Sequence, residues 1–240
     1  MHAVSRALVA SALVWAIGSV VSAEDPDSAT ATGSLEQVLQ QFDQVQRTIH
    51  SLSAGFEETS TNVLLKEPVV SRGQFYLTKP DAVMWSYTAP EQMQFVIAND
   101  EYVGYFPDRK RAERRDIERW KEQIFRFFGL GQASSELFET YEISLGTGDS
   151  SVEGTVLLVL DPKTRKVKKR MQSVRFWVDS ESYLPVQVEY RDNSGNTRIV
   201  RFVDVQMNPD LAVNHYRIEI PADVTVTTGF SGLQSLASAQ

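Results

Sequence analysis

The chain contains 240 residues with a formal net charge of −7, and it has no cysteine. This length is enough for one domain with a sizeable core, which must hold the fold without disulfide bonds. The acidic balance argues against nucleic acid as a partner. The absence of cysteine also excludes a cysteine nucleophile and a lipid attached to the chain through a thiol.

The N-terminus has the pattern of a secretory signal peptide. A basic start, "MHAVSR", precedes the apolar run "ALVASALVWAIGSVV", and small residues at Val21–Ala23 form a cleavage site. The run is shorter than the ~20 residues that a membrane span needs. We therefore expect residues 1–23 to be removed near Ala23, the protein to reach the periplasm, and residues 24–33 to form a flexible linker.

A helix is predicted to begin after Ser34, with Gln37 at the position of a capping-box partner. Apolar residues then recur at helical spacing and form one stripe on an otherwise polar helix. We expect this stripe to lie on other apolar surface. It consists of Leu35, Val38, Leu39, Phe42, Val45, Ile49 and Leu52.

From Ala54 onward the apolar pattern alternates with a period of two, which predicts short strands at 54–61, 71–80, 82–90, 93–100 and 101–108. Asn99 and Asp100 suit a hairpin turn. The strands are too close in sequence for crossover helices, so the sheet is predicted to be antiparallel.

A helical insertion is predicted at Arg114–Leu130, followed by a shorter helix from Ser134 through 143. Strands return at 154–162, 173–181, 184–192, 196–209 and 215–221. These elements predict one mainly β domain (α+β) over residues 34–226, a curled antiparallel sheet whose inside is covered by helices. Residues 227–240 are expected to be a weakly ordered tail.

No catalytic constellation is found in the sequence. After the signal peptide the only histidines are His50 and His215, and neither has metal-binding neighbours. Glu57 and Glu58 are adjacent on a predicted strand, so they point to opposite faces and cannot share a substrate. We expect no enzyme activity, no catalytic residues, no metal and no cofactor.

Six of the eight residues in Lys163–Arg170, "KTRKVKKR", are basic. Such a run can contact anionic lipid head groups or an acidic partner. It can also be a solvated hairpin loop, and that interpretation is favoured because charge runs in loops are usually hydrated.

The stretch Gly73–Gln92 is rich in aromatic residues and has one cation near its bend, Lys79. Alternation places Phe75, Leu77 and Lys79 on one face of the first extended run. It places Val83, Trp85 and Tyr87 on one face of the second run. If both faces turn inward, they form a large apolar surface opposite the insertion helix. The alternative is an ordinary closed core.

The same stretch carries a resemblance to a known family. The order F-x-E-T, G-x-F-x-L-x-K-P, W-x-Y-x-x-P-E and Y-x-x-Y-x-P, which begins at Phe56 and ends at Pro107, resembles the LolA family of periplasmic outer-membrane lipoprotein carriers. The later stretch "RFWVDSESYLPVQVEYRDNSGNTRIVRFVDVQMNPDL" is also similar to the second half of these proteins.

The resemblance implies an incomplete β-barrel with a lid of amphipathic helices, and a cavity between them for lipoprotein acyl chains. It also implies a monomer that takes acylated lipoproteins from an inner-membrane releasing transporter to an outer-membrane receptor. The residues expected to form the cavity are Phe75, Leu77, Val83, Trp85 and Tyr87 on the sheet, with Ile117, Trp120, Ile124, Phe127 and Phe128 on the lid.

The sequence departs from the family pattern at Lys79, where the family usually has an arginine that bonds the lid backbone in the closed state. Lysine lacks the planar fork of arginine, so we expect a less firmly latched lid or a latch built elsewhere. Val83 stands where the family has a bulkier residue. Three alternatives remain open: a lipid- or lipoprotein-sensing regulatory protein, a carrier of another lipid, and a half-barrel with a closed core.

Overall fold

The computed structural model of this chain describes residues 34–119, 134–146 and 152–229. Several sequence expectations lie outside the described residues. They are the signal peptide at 1–23, the linker at 24–33, the lid residues Trp120, Ile124, Phe127 and Phe128, and the tail from residue 230 onward.

The predicted first helix is confirmed as α1, Leu35–Thr48. Its capping box is complete: the Gln37 amide donates to Ser34 Oγ over 3.3 Å, and the Ser34 amide donates to Gln37 Oε1 over 3.0 Å. The helix ends earlier than the apolar stripe, because Ile49 is extended and Leu52 lies in the first strand. Two shorter α-helices are α2, Ser134–Thr140, and α3, Arg165–Lys168.

The described strands form one sheet in the order β12-β6-β5-β4-β3-β2-β1-β11-β10-β9-β8-β7. The sheet ends at β12 and β7, and within the described residues no pairing joins these two ends. The strands are β1 Ser51–Thr61, β2 Val69–Thr78, β3 Ala82–Ala89, β4 Met93–Ala98, β5 Glu101–Phe106, β6 Arg111–Asp116, β7 Tyr141–Leu145, β8 Thr155–Pro162, β9 Met171–Asp179, β10 Pro185–Asp192, β11 Thr197–Met207 and β12 Thr225–Thr228.

The prediction of a wholly antiparallel sheet is wrong at one pair, because β12 runs parallel to β6. After β11 the chain crosses the outer face of the sheet, from Asn208 beside Ser51 to Thr225 beside Lys110. It therefore enters β12 at the same end as β6, and two strands entered from the same end are parallel. β12 also extends to Thr228, two residues past the predicted end of the domain.

The predicted insertion helix is wrong at its beginning, since Arg114–Asp116 belong to β6, which pairs with β5. This strand reads "RAERRD" and has no apolar alternation that could reveal it. The next helix is confirmed as α2, but Tyr141 and Ile143, predicted to continue it, lie in β7.

The predicted strand at 215–221 is also wrong. Residues Val213–Tyr216 form a 3-10 turn, and the chain continues across the sheet without pairing. The alternation that suggested a strand buries Tyr216 and Ile218 against Met84, Val96 and Val103 on the outer face. The alternation of apolar residues at 215–221 therefore reflects packing on the sheet rather than hydrogen-bonded strand pairing.

Gly73 sets the spacing of the inner face, which is the face that α1 covers. It lies between Phe56 on β1 and Tyr87 on β3 in register. A Cβ built on Gly73 would meet Phe56 Cζ at 2.7 Å and the carbonyl oxygen of Ser86 more closely still. Only glycine allows the Phe56 ring to lie across β2 here.

We expect Gly73→Ala to lower the free energy of unfolding by about 2 kcal/mol or more, because the methyl group must displace a backbone carbonyl as well as an aromatic ring. Urea unfolding of the variant and the parent protein measures the difference. Thr88→Ala, an exposed change on the neighbouring strand, is the control. Equal stability of all three proteins would contradict the close packing of Phe56 over Gly73.

Candidate ligand-binding site

The five sheet residues predicted to line a cavity lie together on the inner face, in one buried apolar cluster. They are at most 5% exposed, and they are packed beneath α1 through Val38, Leu39 and Phe42. The predicted lid residue Ile117 belongs to the same cluster and is fully buried. The sequence-predicted residues are Phe75, Leu77, Val83, Trp85 and Tyr87.

An aromatic network joins these side chains. The ring centroids of Phe75 and Trp85 are 4.5 Å apart, and Phe56 packs edge-on against Trp85 at 5.0 Å and Tyr87 at 4.9 Å. Phe202 of β11 contacts Phe75 at 5.8 Å. Phe56 and Phe202 were not assigned from sequence, although the alternation of β1 and β11 places both on this face.

A buried charged cluster, which was not predicted from the sequence, borders the aromatic network. Glu58 accepts hydrogen bonds from Tyr87 Oη over 2.9 Å and from Ser60 Oγ over 3.1 Å. Arg198 Nε lies 3.2 Å from Glu58 Oε1. Glu58 lies two residues after Phe56 in the same strand, so the alternation of β1 could have predicted that its side chain faces inward. Buried charges require such partners because the loss of hydration is costly.

The tyrosines of this region remain protonated well beyond their usual range. Burial, and then the negative charge of Glu58, raise the pKa of Tyr87 well above its ordinary value. Burial also raises the pKa of Tyr190, and it raises the pKa of Tyr141 to about 12. At neutral pH these phenols therefore act as hydrogen-bond donors rather than as bases.

Lys79 joins the sheet to α1 at the opposite end of the inner face. Its Nζ donates to the backbone carbonyl oxygen of Gln46, in the last turn of α1, over 2.6 Å. A cation is favoured there because the C-terminal carbonyls of a helix carry partial negative charge. The bond reaches a helix backbone, as the resemblance implies for the family's arginine, whereas the lysine led us to expect a less firm latch or one built elsewhere.

α1 also carries the beginning of α2. Asp43 Oδ1 accepts the backbone amide of Ser134 over 2.6 Å, and Asp43 Oδ2 accepts the Ser134 hydroxyl over 2.7 Å. A movement of α1 away from the sheet would therefore carry or release α2.

The outer face has a groove of about 1310 Å³ between strands β3–β6 and the crossing segment. Its lining mixes apolar residues with seven charged ones, and burying those charged groups under an apolar ligand would cost hydration energy. It is distinct from the predicted site. The charged residues are Asp81, Asp100, Glu101, Arg114, Asp116, Arg217 and Glu219.

In the described ranges, no three His, Asp, Glu or Cys side chains are arranged to hold a metal ion. None of the helices described there is long and apolar enough to cross a membrane. The site is thus defined by one extended apolar face beneath a helix, with polar groups at its ends. In this structure the five predicted sheet residues are packed as a closed apolar core, and their role in binding a ligand stays a prediction.

Comparison with known proteins gives the family. The model for "Outer membrane lipoprotein carrier protein LolA" matches residues 47–219. The chain therefore belongs to the LolA family of lipoprotein carriers, which is not a family of enzymes.

Relatives agree with this assignment at low identity. The outer-membrane lipoprotein carrier protein of Chromohalobacter salexigens is 24% identical over 216 residues, which are 90% of this chain and 97% of that protein. The protein of the same description from Cupriavidus taiwanensis is 25% identical over 75% of this chain and 77% of its own length.

A solved structure supports the fold. A conserved protein from Thermus thermophilus aligns with a TM-score of 0.52 at 10% identity, over 81% of this chain and 98% of that one. At that identity the likeness concerns the fold alone.

We expect Lys79→Leu to loosen α1, because the variant loses the charged hydrogen bond to the Gln46 carbonyl. Amide hydrogen exchange of α1 should become about tenfold faster, in line with the loss of one such bond. Lys79→Arg keeps a donor at this position and should retain protection, and the amides of β9 provide an internal reference. Unchanged exchange in α1 of the leucine variant would show that this contact does not hold the helix.

Tyr141 generates a prediction for alkaline pH. In the unfolded chain its phenol ionises near pH 10, whereas in the folded protein its pKa is about 12. Its contribution to stability is complete below pH 10 and is lost as pH rises from 10 to 12. Between pH 10 and 12, ionisation of Tyr141 should lower the free energy of unfolding of the parent protein by about 1.4 kcal/mol per pH unit. We expect the Tyr141→Phe variant to lack this contribution to the slope.

Urea unfolding at intervals between pH 8 and 12 measures this slope. A constant offset between variant and parent at all pH values would show that the Tyr141 hydroxyl is not buried as the structure has it.

Proposed function

We propose that this protein is a periplasmic carrier that holds the acyl chains of lipoproteins on the inner face of its sheet and moves them from the inner to the outer membrane. The single observation that carries the proposal is the buried aromatic cluster under α1, found in a chain of the lipoprotein carrier family.

The physical need for such a carrier is large. Each methylene group removed from water contributes ~0.8 kcal/mol, so several long acyl chains sum to tens of kcal/mol. Lipoproteins cannot cross an aqueous compartment with those chains exposed. Phe75, Leu77, Val83, Trp85 and Tyr87 supply the apolar contact area on the sheet.

Cargo binding requires movement of the covering helices, since the aromatic cluster is packed against α1 in this structure. Lys79 is proposed as the latch, because its bond to the Gln46 carbonyl spans the boundary between sheet and helix. One charged hydrogen bond of about 1.5–3 kcal/mol is small compared with the energy of burying acyl chains. Cargo can therefore displace the latch.

The remaining parts of the lid are proposed from the family pattern. Ile117 already belongs to the buried cluster. We propose that Trp120, Ile124, Phe127 and Phe128 complete the lid, and that the sheet with its helices acts as an incomplete barrel around the cargo. The exchange partners would be a releasing transporter at the inner membrane and a lipoprotein receptor at the outer membrane, and the carrier would act as a monomer.

The proposal is tested by binding of a synthetic triacylated lipopeptide, measured by native mass spectrometry and by displacement of an apolar fluorescent dye. We expect one lipopeptide per protein molecule and no binding of the same peptide without acyl chains. Val83→Thr should weaken lipopeptide binding about fivefold, because a hydroxyl replaces a methyl group against the chains.

Val96→Thr is the matched control, since it makes the same change at a buried position on the outer face. Equal effects of the two variants would argue against the inner face as the site. Equal binding of acylated and unacylated peptide would overturn the carrier proposal. A phospholipid or glycolipid found on the protein from the periplasm would keep the site and change the cargo.

A further inference from the structure

Three hairpin connections lie side by side at one end of the sheet, which we name the hairpin end. They are the β1–β2 loop at 62–68, the β10–β11 turn at 193–196 and the β8–β9 loop at Lys163–Arg170. Hydrogen bonds join them: the Val63 amide donates to Asn196 Oδ1 over 3.0 Å, and Asn193 Nδ2 donates to the Lys168 carbonyl oxygen over 2.8 Å.

The β10–β11 turn, which lies between the other two loops, is held by several hydrogen bonds. The buried carboxylate of Asp192 accepts the amides of Ser194 and Asn196 over 2.8 and 2.9 Å. It also accepts the Asn196 side-chain amide over 2.7 Å. The two outer loops are therefore held against a turn whose geometry is fixed by several hydrogen bonds.

The β1–β2 loop presents apolar side chains to water at its tip. Leu64 is 88% exposed, and Val63 and Leu65 are 59% and 56% exposed. Three consecutive apolar residues at the tip of a hairpin do not contribute to the core. Contiguous exposed apolar surface of this kind marks contact with a membrane or a partner.

The β8–β9 loop presents positive charge at the same end. All six basic residues of Lys163–Arg170 are exposed, and α3 forms within the loop after the Thr164 cap. Among the described residues, none of the six forms an ion pair with a carboxylate. This concentration of charge is notable in a chain with a net charge of −7.

We propose that the hairpin end is a docking surface for an anionic phospholipid bilayer. Clustered lysines and arginines attract anionic head groups, and exposed leucine and valine side chains insert at the boundary with the acyl chains. An acidic protein surface would match the charge, but it would leave the apolar tip of the β1–β2 loop in water. The structure joins both features in one place, which favours the lipid surface.

Docking in this way would orient the carrier. β1 runs from Ser51, beside Thr78, toward Thr61 at the hairpin end. The Glu58 cluster is therefore the part of the inner face nearer the bilayer, and Lys79 is the part farther from it. The proposal is independent of the cargo, because it rests on the outer surface of the loops alone.

The test is flotation of the mature protein with phosphatidylcholine vesicles containing about a quarter phosphatidylglycerol, compared with vesicles of phosphatidylcholine alone. We expect binding to the anionic vesicles only, and weaker binding as salt is raised. The double variant Lys166→Gln, Lys169→Gln should bind about tenfold less tightly. Leu64→Ser should also weaken binding to the anionic vesicles.

Two control variants match these changes away from the hairpin end. Arg47→Gln with Arg217→Gln removes two exposed positive charges, and Met207→Ser removes an apolar side chain that is 47% exposed. Both should bind like the parent protein. All altered side chains are exposed, so thermal unfolding should be unchanged in every variant.

Failure of the parent protein to bind anionic vesicles, or equal binding to both vesicle types, would overturn the proposal. Equal loss in the charge control would show a general electrostatic effect and would also overturn it. Full binding by Leu64→Ser would refute insertion of the apolar tip. Lipopeptide binding measured on the same variants should be unchanged, so failure of the docking surface and failure of the carrier function are distinguished.

Discussion

Burial of the aromatic side chains of β1, β2 and β3 beneath α1 is the interaction on which the rest of the structure depends. Strict alternation directs Phe56, Phe75 and Trp85 to one face, and the described sheet remains open at both ends. The cover for this face must therefore come from helices. For a carrier, the contact that stabilises the empty protein is also the contact that cargo must replace.

The two ends of the inner face differ chemically, and this difference gives the site a direction. At one end a buried carboxylate binds Tyr87 and Arg198. At the other end Lys79 bonds a backbone carbonyl of α1. The first end is held by interactions within the sheet, whereas the second depends on the position of a helix. Polar contacts therefore hold α1 at the Lys79 end, where Lys79 Nζ and Asn208 Nδ2 donate to the carbonyl oxygens of Gln46 and Thr48 in its last turn.

The crossing segment after β11 covers the outer face of the sheet and leaves the inner face to α1. Tyr216 and Ile218 cover the apolar patch on the outer face, and the same segment brings β12 alongside β6. In the described residues the chain's own C-terminal part thus covers the outer face, beside a groove lined by both charged and apolar residues. The inner face is covered by α1 instead, so the two faces of the sheet are closed by different parts of the chain.

The sequence by itself determined the elements with strong local signals. The capping box at Ser34, the helical stripe of α1 and the alternation in β3 and β10 were readable because each pattern lies within a few residues. The five sheet residues of the candidate site followed from the same alternation. The motif order from Phe56 to Pro107 carried the family, which comparison with known proteins then established.

Only the tertiary structure decided the features that depend on distant residues. β6 lacks apolar alternation and exists because β5 and β12 pair with it. Residues 215–221 carry a strand pattern but pack on the sheet without pairing. The partnership of Glu58 with Arg198 joins residues that are far apart in sequence. A local sequence pattern indicates which face of a strand a side chain occupies. Which distant residue it contacts depends on how the later strands pack beside it, and that is a property of the whole fold.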